Sequence, residues 1–79
     1  MSSNGELFMK EFEEFPKILR GLRQAYGFTQ QDVAQRLKIA YQSYQAYERG
    51  ITLPTLKNFV AIADLFDVSL DYLLGRKDL

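Results

Sequence analysis

Apolar residues recur at helical spacing through most of the chain and nowhere alternate with polar ones as they would along a strand, so the sequence predicts an all-α fold. Phe15, Ile18, Leu19, Leu22 and Tyr26 make a first stripe, with Pro16 tolerable only in a first turn and Gly27 placed to stop the helix. Thr29 then suits the cap of a second helix, because its hydroxyl can accept an N–H at the third position, held by Asp32, while Phe28 can staple onto Val33. Gln30, Val33, Ala34 and Leu37 form the inner side of that helix, which must stop near Lys38. A third segment begins at once, Ala40 to Arg49, with Ala40, Tyr44 and Tyr47 as its inward stripe and Gly50 as its end. Its other positions are polar but nearly uncharged, an unusual face for a plainly solvated helix. Pro54 and Thr55 restart the chain, with Leu56, Phe59, Val60, Ala63 and Phe66 as the inward stripe of a fourth helix. Ser69 caps a short fifth, with Val68 set to staple onto Leu73 and Gly75 to stop it. Ahead of these, Leu7, Phe8, Phe12 and Phe15 predict one or two further helical turns over 7–14, and the Ser, Asn and Gly of residues 1–5 predict disorder.

The chain has 79 residues, room for one small domain, assigned here to 15–79 with 1–14 as an extension. It contains neither Cys nor His, which removes thiolate and imidazole chemistry and the commonest metal ligands, and no carboxylate pair sits beside a nucleophile. No catalytic residue, metal, cofactor or small-molecule ligand is expected. No run of 18 apolar residues exists and the N-terminus is acidic where a secretory signal would be basic, so a cytoplasmic protein without a membrane partner is expected. The zero net charge is unevenly spread: residues 1–14 sum to −3, leaving +3 on 15–79. That excess is compatible with a nucleic-acid partner but is ordinary in size.

About three residues join helices two and three, the connection of a helix-turn-helix, in which one helix braces another whose outer face enters a DNA groove. With Tyr44 and Tyr47 inward, Tyr41, Gln42, Gln45 and Ala46 face outward near the amino end. A glutamine amide can bond adenine bidentately, and a tyrosine ring or alanine methyl can meet the thymine methyl group. The plainer reading of the same residues is a neutral polar surface.

Over residues 16–75 the chain resembles the lambda-type repressor and Cro family, the five-helix DNA-binding domain also called XRE. The resemblance rests on Leu22-Arg23, the stretch Thr29-Gln30-Gln31-Asp32-Val33-Ala34, the close Tyr47-Glu48-Arg49-Gly50, and Pro54-Thr55-Leu56 followed by Asp67-Val68-Ser69-Leu70-Asp71-Tyr72-Leu73-Leu74-Gly75, in order and at the family's spacing. It implies a lambda-repressor-like fold and a sequence-specific regulator, a repressor by preference, that acts on double-stranded DNA as a homodimer at a palindromic operator. It implies a bacterial or phage protein, associated with the nucleoid when bound. By position it implies base contacts at Tyr41, Gln42, Gln45 and Ala46, and phosphate contacts at Thr29, Gln30, Lys38, Ser43, Arg49 and Lys57. It also implies a structural pair between Arg23 and Glu48, and a dimer interface through Leu70, Tyr72 and Leu73.

Three positions depart from the family. Lys38 stands where Gly is usual, Ala40 where a Ser or Thr would cap, and Ile51-Thr52-Leu53 lacks the usual basic residues. The sparse basic loop and the acidic start keep open the alternative of a protein-interaction module that retains the fold without DNA binding.

Overall fold

The computed structural model describes residues 12–76. Along the chain run α1 (Phe15–Ala25), α2 (Gln30–Leu37), α3 (Tyr41–Glu48), α4 (Leu56–Phe66) and α5 (Leu70–Leu73), with no strand among the described residues. The all-α, five-helix expectation holds, with α2 and α3 as the helix-turn-helix. Among the described residues no helix is long and apolar enough to cross a membrane. The expected disorder of 1–5 and the expected helix over 7–11, with Leu7 and Phe8, lie outside the described residues. Phe12–Glu14 form a turn rather than helix, and Glu14 enters α1 as its N-cap without a side-chain cap bond.

All five helices end in the same way. The N–H of Phe28, Ile39, Ile51, Val68 and Arg76 reaches back to the carbonyl of Arg23, Ala34, Ala46, Ala63 and Asp71 at 3.0–3.1 Å, a six-to-one bond that requires the residue before the donor to be left-handed. Gly27, Gly50 and Gly75 take that conformation at φ 75°, without steric cost. Lys38 takes it at φ 60° and Asp67 at φ 56°, each against about 1–2 kcal/mol of side-chain crowding. Lys38 therefore takes at the end of α2 the left-handed conformation that Gly27 and Gly50 take at the ends of α1 and α3.

Three of the connections share one sequence of tasks. A left-handed residue (Gly27, Lys38, Asp67) is followed by an apolar one packed on the core (Phe28, Ile39, Val68), and that by the next N-cap (Thr29, Ala40, Ser69). Thr29 accepts from Asp32 N at 3.0 Å and Ser69 from Tyr72 N at 3.0 Å, whereas Ala40 makes no side-chain bond. Ala40 is exposed, a correction to its place on the inward stripe: as N-cap its backbone is extended and its Cβ leaves the helix face.

The core is built from Phe15 and Leu19 of α1, Val33 and Ala34 of α2, Tyr44 and Tyr47 of α3, Ile62, Ala63 and Phe66 of α4, and Leu73 of α5. The stripe expected on α4 needs correction: Leu56 is 73% exposed and Val60 42% exposed. The inward set, partly buried Phe59 with buried Ile62, Ala63 and Phe66, follows the three-four-seven spacing of one helix face, from which Val60 is rotated away. Leu56 lies one turn short of the core. Tyr26 reaches the core only edge-on, its ring centroid 5.1 Å from that of Phe66, while its hydroxyl donates to Phe66 O at 2.9 Å.

Because Lys38 occupies a left-handed position, Lys38→Gly removes a side-chain penalty that exceeds the added chain entropy of glycine. The variant should melt higher by a few degrees, corresponding to about 0.5–1 kcal/mol. A thermal melt followed by circular dichroism checks this, and a lower melting temperature would contradict it.

Candidate nucleic-acid interface

The start of α2 is fixed by a reciprocal capping box: Thr29 Oγ1 accepts from Asp32 N, and Thr29 N donates to Asp32 Oδ2 at 2.9 Å. The Thr29 N–H donated to it, then the neighbouring Thr29 hydroxyl, holds the Asp32 carboxyl below its ordinary range. Gln30 follows in the first helical turn and points its side chain at α3 rather than outward.

Between α1, α2 and α3 lies Glu48, only 2% exposed. Arg23 grips it as a fork, Nε to Oε2 at 2.6 Å and Nη2 to Oε1 at 3.1 Å. Gln30 Nε2 donates to Oε1 at 3.0 Å, and the buried Tyr44 hydroxyl donates to Oε2. Arg23 Nη1 also donates to Phe28 O at 3.1 Å, and Arg20 Nη2 to Glu48 O at 3.2 Å, which ties the end of α3 to α1. Burial alone would push the Glu48 carboxyl up, but the bonds from Arg23, Tyr44 and Gln30 outweigh it and leave the group below the usual glutamate range. The bond to Glu48 raises the Arg23 guanidinium against its own burial. Burial, then the neighbouring carboxylate, pushes the Tyr44 phenol far above its ordinary value, so it remains a donor.

The network extends outward from Gln30. Its Oε1 receives Gln45 Nε2 at 3.4 Å and Tyr41 Oη at 3.5 Å, long bonds that gather Gln30, Tyr41 and Gln45 into one cluster. Tyr41, Gln42 and Ser43 are exposed at the amino end of α3, while Gln45 and Ala46 are half-buried further along. Thr29 stands beside Gln30, and Lys38 and Lys57 are exposed in the turn and on the first turn of α4. Arg49 sits apart, just past the far end of α3, on a surface shared with Lys17 and Arg20. Among the expected dimer residues, Leu70 and Tyr72 are exposed, but Leu73 is 0% exposed and closes the monomer core, so it has no surface to give a partner. Sequence reading missed the part of Tyr44 in this cluster; its signal was the four-residue spacing to Glu48, which puts both side chains on one helix face. It also missed the bond from Asn58 Nδ2 to the Tyr47 hydroxyl at 3.0 Å, which ties α4 to α3. No group of three or more Asp or Glu among the described residues could hold a metal.

Glu48→Ala strands Arg23, the Tyr44 hydroxyl and Gln30 together and should cost about 3–5 kcal/mol, comparable to the whole stability of so small a domain. The pH dependence follows from the lowered carboxyl. The unfolded chain takes up a proton on Glu48 at higher pH than the folded one does, so its contribution is complete at neutral pH. It is lost as pH falls from about 5 through the depressed folded value. Asp32 acts with the same sign. Denaturant melts at stepped pH should show this acid limb, and Glu48→Gln should flatten it.

The helix-turn-helix family model matches residues 19–73. The chain is 43% identical over 60 residues to the uncharacterized HTH-type transcriptional regulator YobD of Bacillus subtilis, covering 76% of this chain and 54% of that protein. It is 43% identical over 58 residues to the cryptic phage CTXphi transcriptional repressor RstR of Vibrio cholerae, covering 73% and 52%. It is 36% identical over 62 residues to the HTH-type transcriptional regulator ImmR of Bacillus subtilis, covering 78% and 49%. The chain thus spans about half the length of the curated relatives it matches. No solved structure matches it significantly. Since residues 19–73 run from within α1 to the end of α5 and take in the whole Glu48 network, the chain belongs to the XRE-type helix-turn-helix family, which is a family of transcriptional regulators and not of enzymes.

Proposed function

We propose that this chain is a sequence-specific double-stranded DNA-binding regulator that lays α3 in the major groove. The observation that carries the reading is the division of α3: Tyr44, Tyr47 and Glu48 are buried and bonded, while Tyr41, Gln42 and Ser43 stand exposed at its amino end. A recognition helix meets base edges with its N-terminal residues, and Gln42 is the residue there with a free-standing amide suited to adenine. Gln45 and Ala46 complete the reading face. Thr29, Gln30, Lys38, Ser43, Arg49 and Lys57 contact phosphate, with Gln30 spending one amide proton on Glu48 and keeping the other for the backbone. Residues 15–79 form the DNA-binding unit and 1–14 an extension to it. The relative from Vibrio cholerae is named a repressor, which favours repression. A cytoplasmic location follows from the same reading.

The protein acts as a homodimer on a palindromic operator, its half-sites about 34 Å apart, with Leu70 and Tyr72 on the two-fold face. The absence of a basic residue in Ile51-Thr52-Leu53 supports a second reading, a protein-binding module of the same fold. Salt separates the two, since DNA binding weakens steeply as salt rises.

Once an operator has been selected from a random pool, Gln42→Ala should lose about 1–3 kcal/mol of discrimination at one base pair. Lys57→Ala should instead weaken all sequences alike and flatten the salt slope. Fluorescence anisotropy on operator and random duplexes measures both, and equal effects of Gln42→Ala on the two would remove Gln42 from base reading. Tyr72→Glu should shift the protein from dimer to monomer in sedimentation, and an unchanged dimer would place the two-fold elsewhere.

A further inference from the structure

From Gln45 to Glu48 the hydrogen bonds between α2 and α3 run in one direction. Arg23 donates to both oxygens of Glu48, Nε to Oε2 and Nη2 to Oε1, so neither carries a proton and the group is a carboxylate, which only accepts. Gln30 can therefore meet it only with its nitrogen, and Nε2 donates to Oε1 at 3.0 Å. A reversed amide would set one acceptor against another beside a buried charge. The Gln30 carbonyl is thereby turned to α3, where Gln45 Nε2 at 3.4 Å and Tyr41 Oη at 3.5 Å donate to it and take up both lone pairs. The same constraint then passes to Gln45. Its nitrogen end is held toward α2, because the opposite orientation would face Gln30 Oε1 with oxygen. Gln45 Oε1 has no partner among the described residues. The exposed Gln42 differs: its side chain makes no hydrogen bond among the described residues, so its amide can present either end.

We propose that Glu48, acting through Gln30, fixes Gln45 as an acceptor toward DNA, so that Gln45 Oε1 takes the exocyclic amine of adenine or cytosine and the amide cannot turn to serve a keto oxygen in its place. The inference rests on the reading of α3 as the recognition helix and names the base chemistry that one of its residues selects. In the major groove adenine N6 and cytosine N4 donate, whereas guanine O6 and thymine O4 accept. A freely turning glutamine amide suits both. An amide locked at one end suits only the first, and its half-buried side chain is ordered before DNA arrives. Glu48 touches no base; it is a positioning residue, and it acts on specificity as well as on stability.

On an operator selected from a random pool, the pair that Gln45 reads is the one at which Gln45→Ala loses discrimination. At that pair, purine for adenine or 2-pyrimidinone for cytosine removes the amine, and should weaken wild-type binding at least about fivefold more than it weakens Gln45→Ala. Removing the keto oxygen of the partner base, with 5-methyl-2-pyrimidinone for thymine or 2-aminopurine for guanine, should weaken both proteins alike. If the wild type loses more from the missing keto oxygen, or equally from both, or if Gln45→Ala alters no pair, the proposal is overturned and the DNA-binding reading stands. A pool that yields no bound duplex overturns both. Reversing the pair puts a keto oxygen where the amine stood. That penalty should fall at least about fivefold in Glu48→Gln, whose amide can donate as well as accept and so lets Gln30 and Gln45 turn. Gln30→Leu interrupts the same relay while Arg23 and Tyr44 still hold the carboxylate, and should lower the penalty likewise. A penalty unchanged in both variants overturns the proposal.

Discussion

A charge taken out of water must be met on every side, and in this fold the charge is the Glu48 carboxylate. Its donors come from three helices: two nitrogens of Arg23 on α1, the Gln30 amide on α2 and the Tyr44 hydroxyl on α3 itself. Apolar contacts fix how much surface is buried but say little about direction, whereas a carboxylate with forked and single donors admits one arrangement of the helices that carry them. A well-packed apolar substitute could in principle be as stable. It would not set the rotation of α3 about its own axis.

That rotation matters because α3 can contribute little to its own placement. It has eight residues, no side-chain cap and no basic residue in its last turn, so neither helix propensity nor capping holds it. Two tyrosines and a glutamate form its inner side, and each is bonded as well as buried: Tyr44 to Glu48, Tyr47 to Asn58, Glu48 to Arg23. The helix is thereby free to carry glutamine and serine outside, where a helix held by apolar packing alone would need more of its surface. Gln30 joins the two sides, bonded inward to Glu48 and outward to Gln45 and Tyr41, so the outer side of α3 and the buried charge are parts of one network.

Much of this was legible in the sequence, because the connections are written residue by residue. Gly27-Phe28-Thr29 shows a left-handed stop, a core residue and a cap, each with a distinct chemical signature, and the boundary on either side follows. The same pattern at Lys38-Ile39-Ala40 and Asp67-Val68-Ser69 is harder to see, since two of its first positions lack glycine and one of its last lacks a hydroxyl. Those helices stop because the six-to-one bond and the packing of partly buried Ile39 or Val68 on the core outweigh the strain at one residue. Periodicity failed at Leu56 and Val60 for another reason: a stripe of apolar residues records what is apolar, and α4 has more of it than one core can cover. The Arg23–Glu48 pair came from family resemblance alone; the four-residue spacing of Tyr44 and Glu48 puts both on one face of α3, but the bond between them also depends on their rotamers.

The surplus of apolar side chains at the C-terminal end has a geometric origin. A four-residue helix makes a single turn, and one turn offers the core about one position; in α5 that position is Leu73. Leu70 and Tyr72 on the same turn must then face outward, and Leu74 just after it reaches only the edge. Lengthening α5 would not bury them, because the left-handed Gly75 is pressed against Glu14 and ends the element there. Apolar residues that the helix cannot turn inward stay on the surface and make an apolar patch there. The Glu48 network satisfies its own polar groups and leaves the amino end of α3 exposed. The two surfaces differ in chemistry, apolar side chains at α5 and amides and hydroxyls at the start of α3.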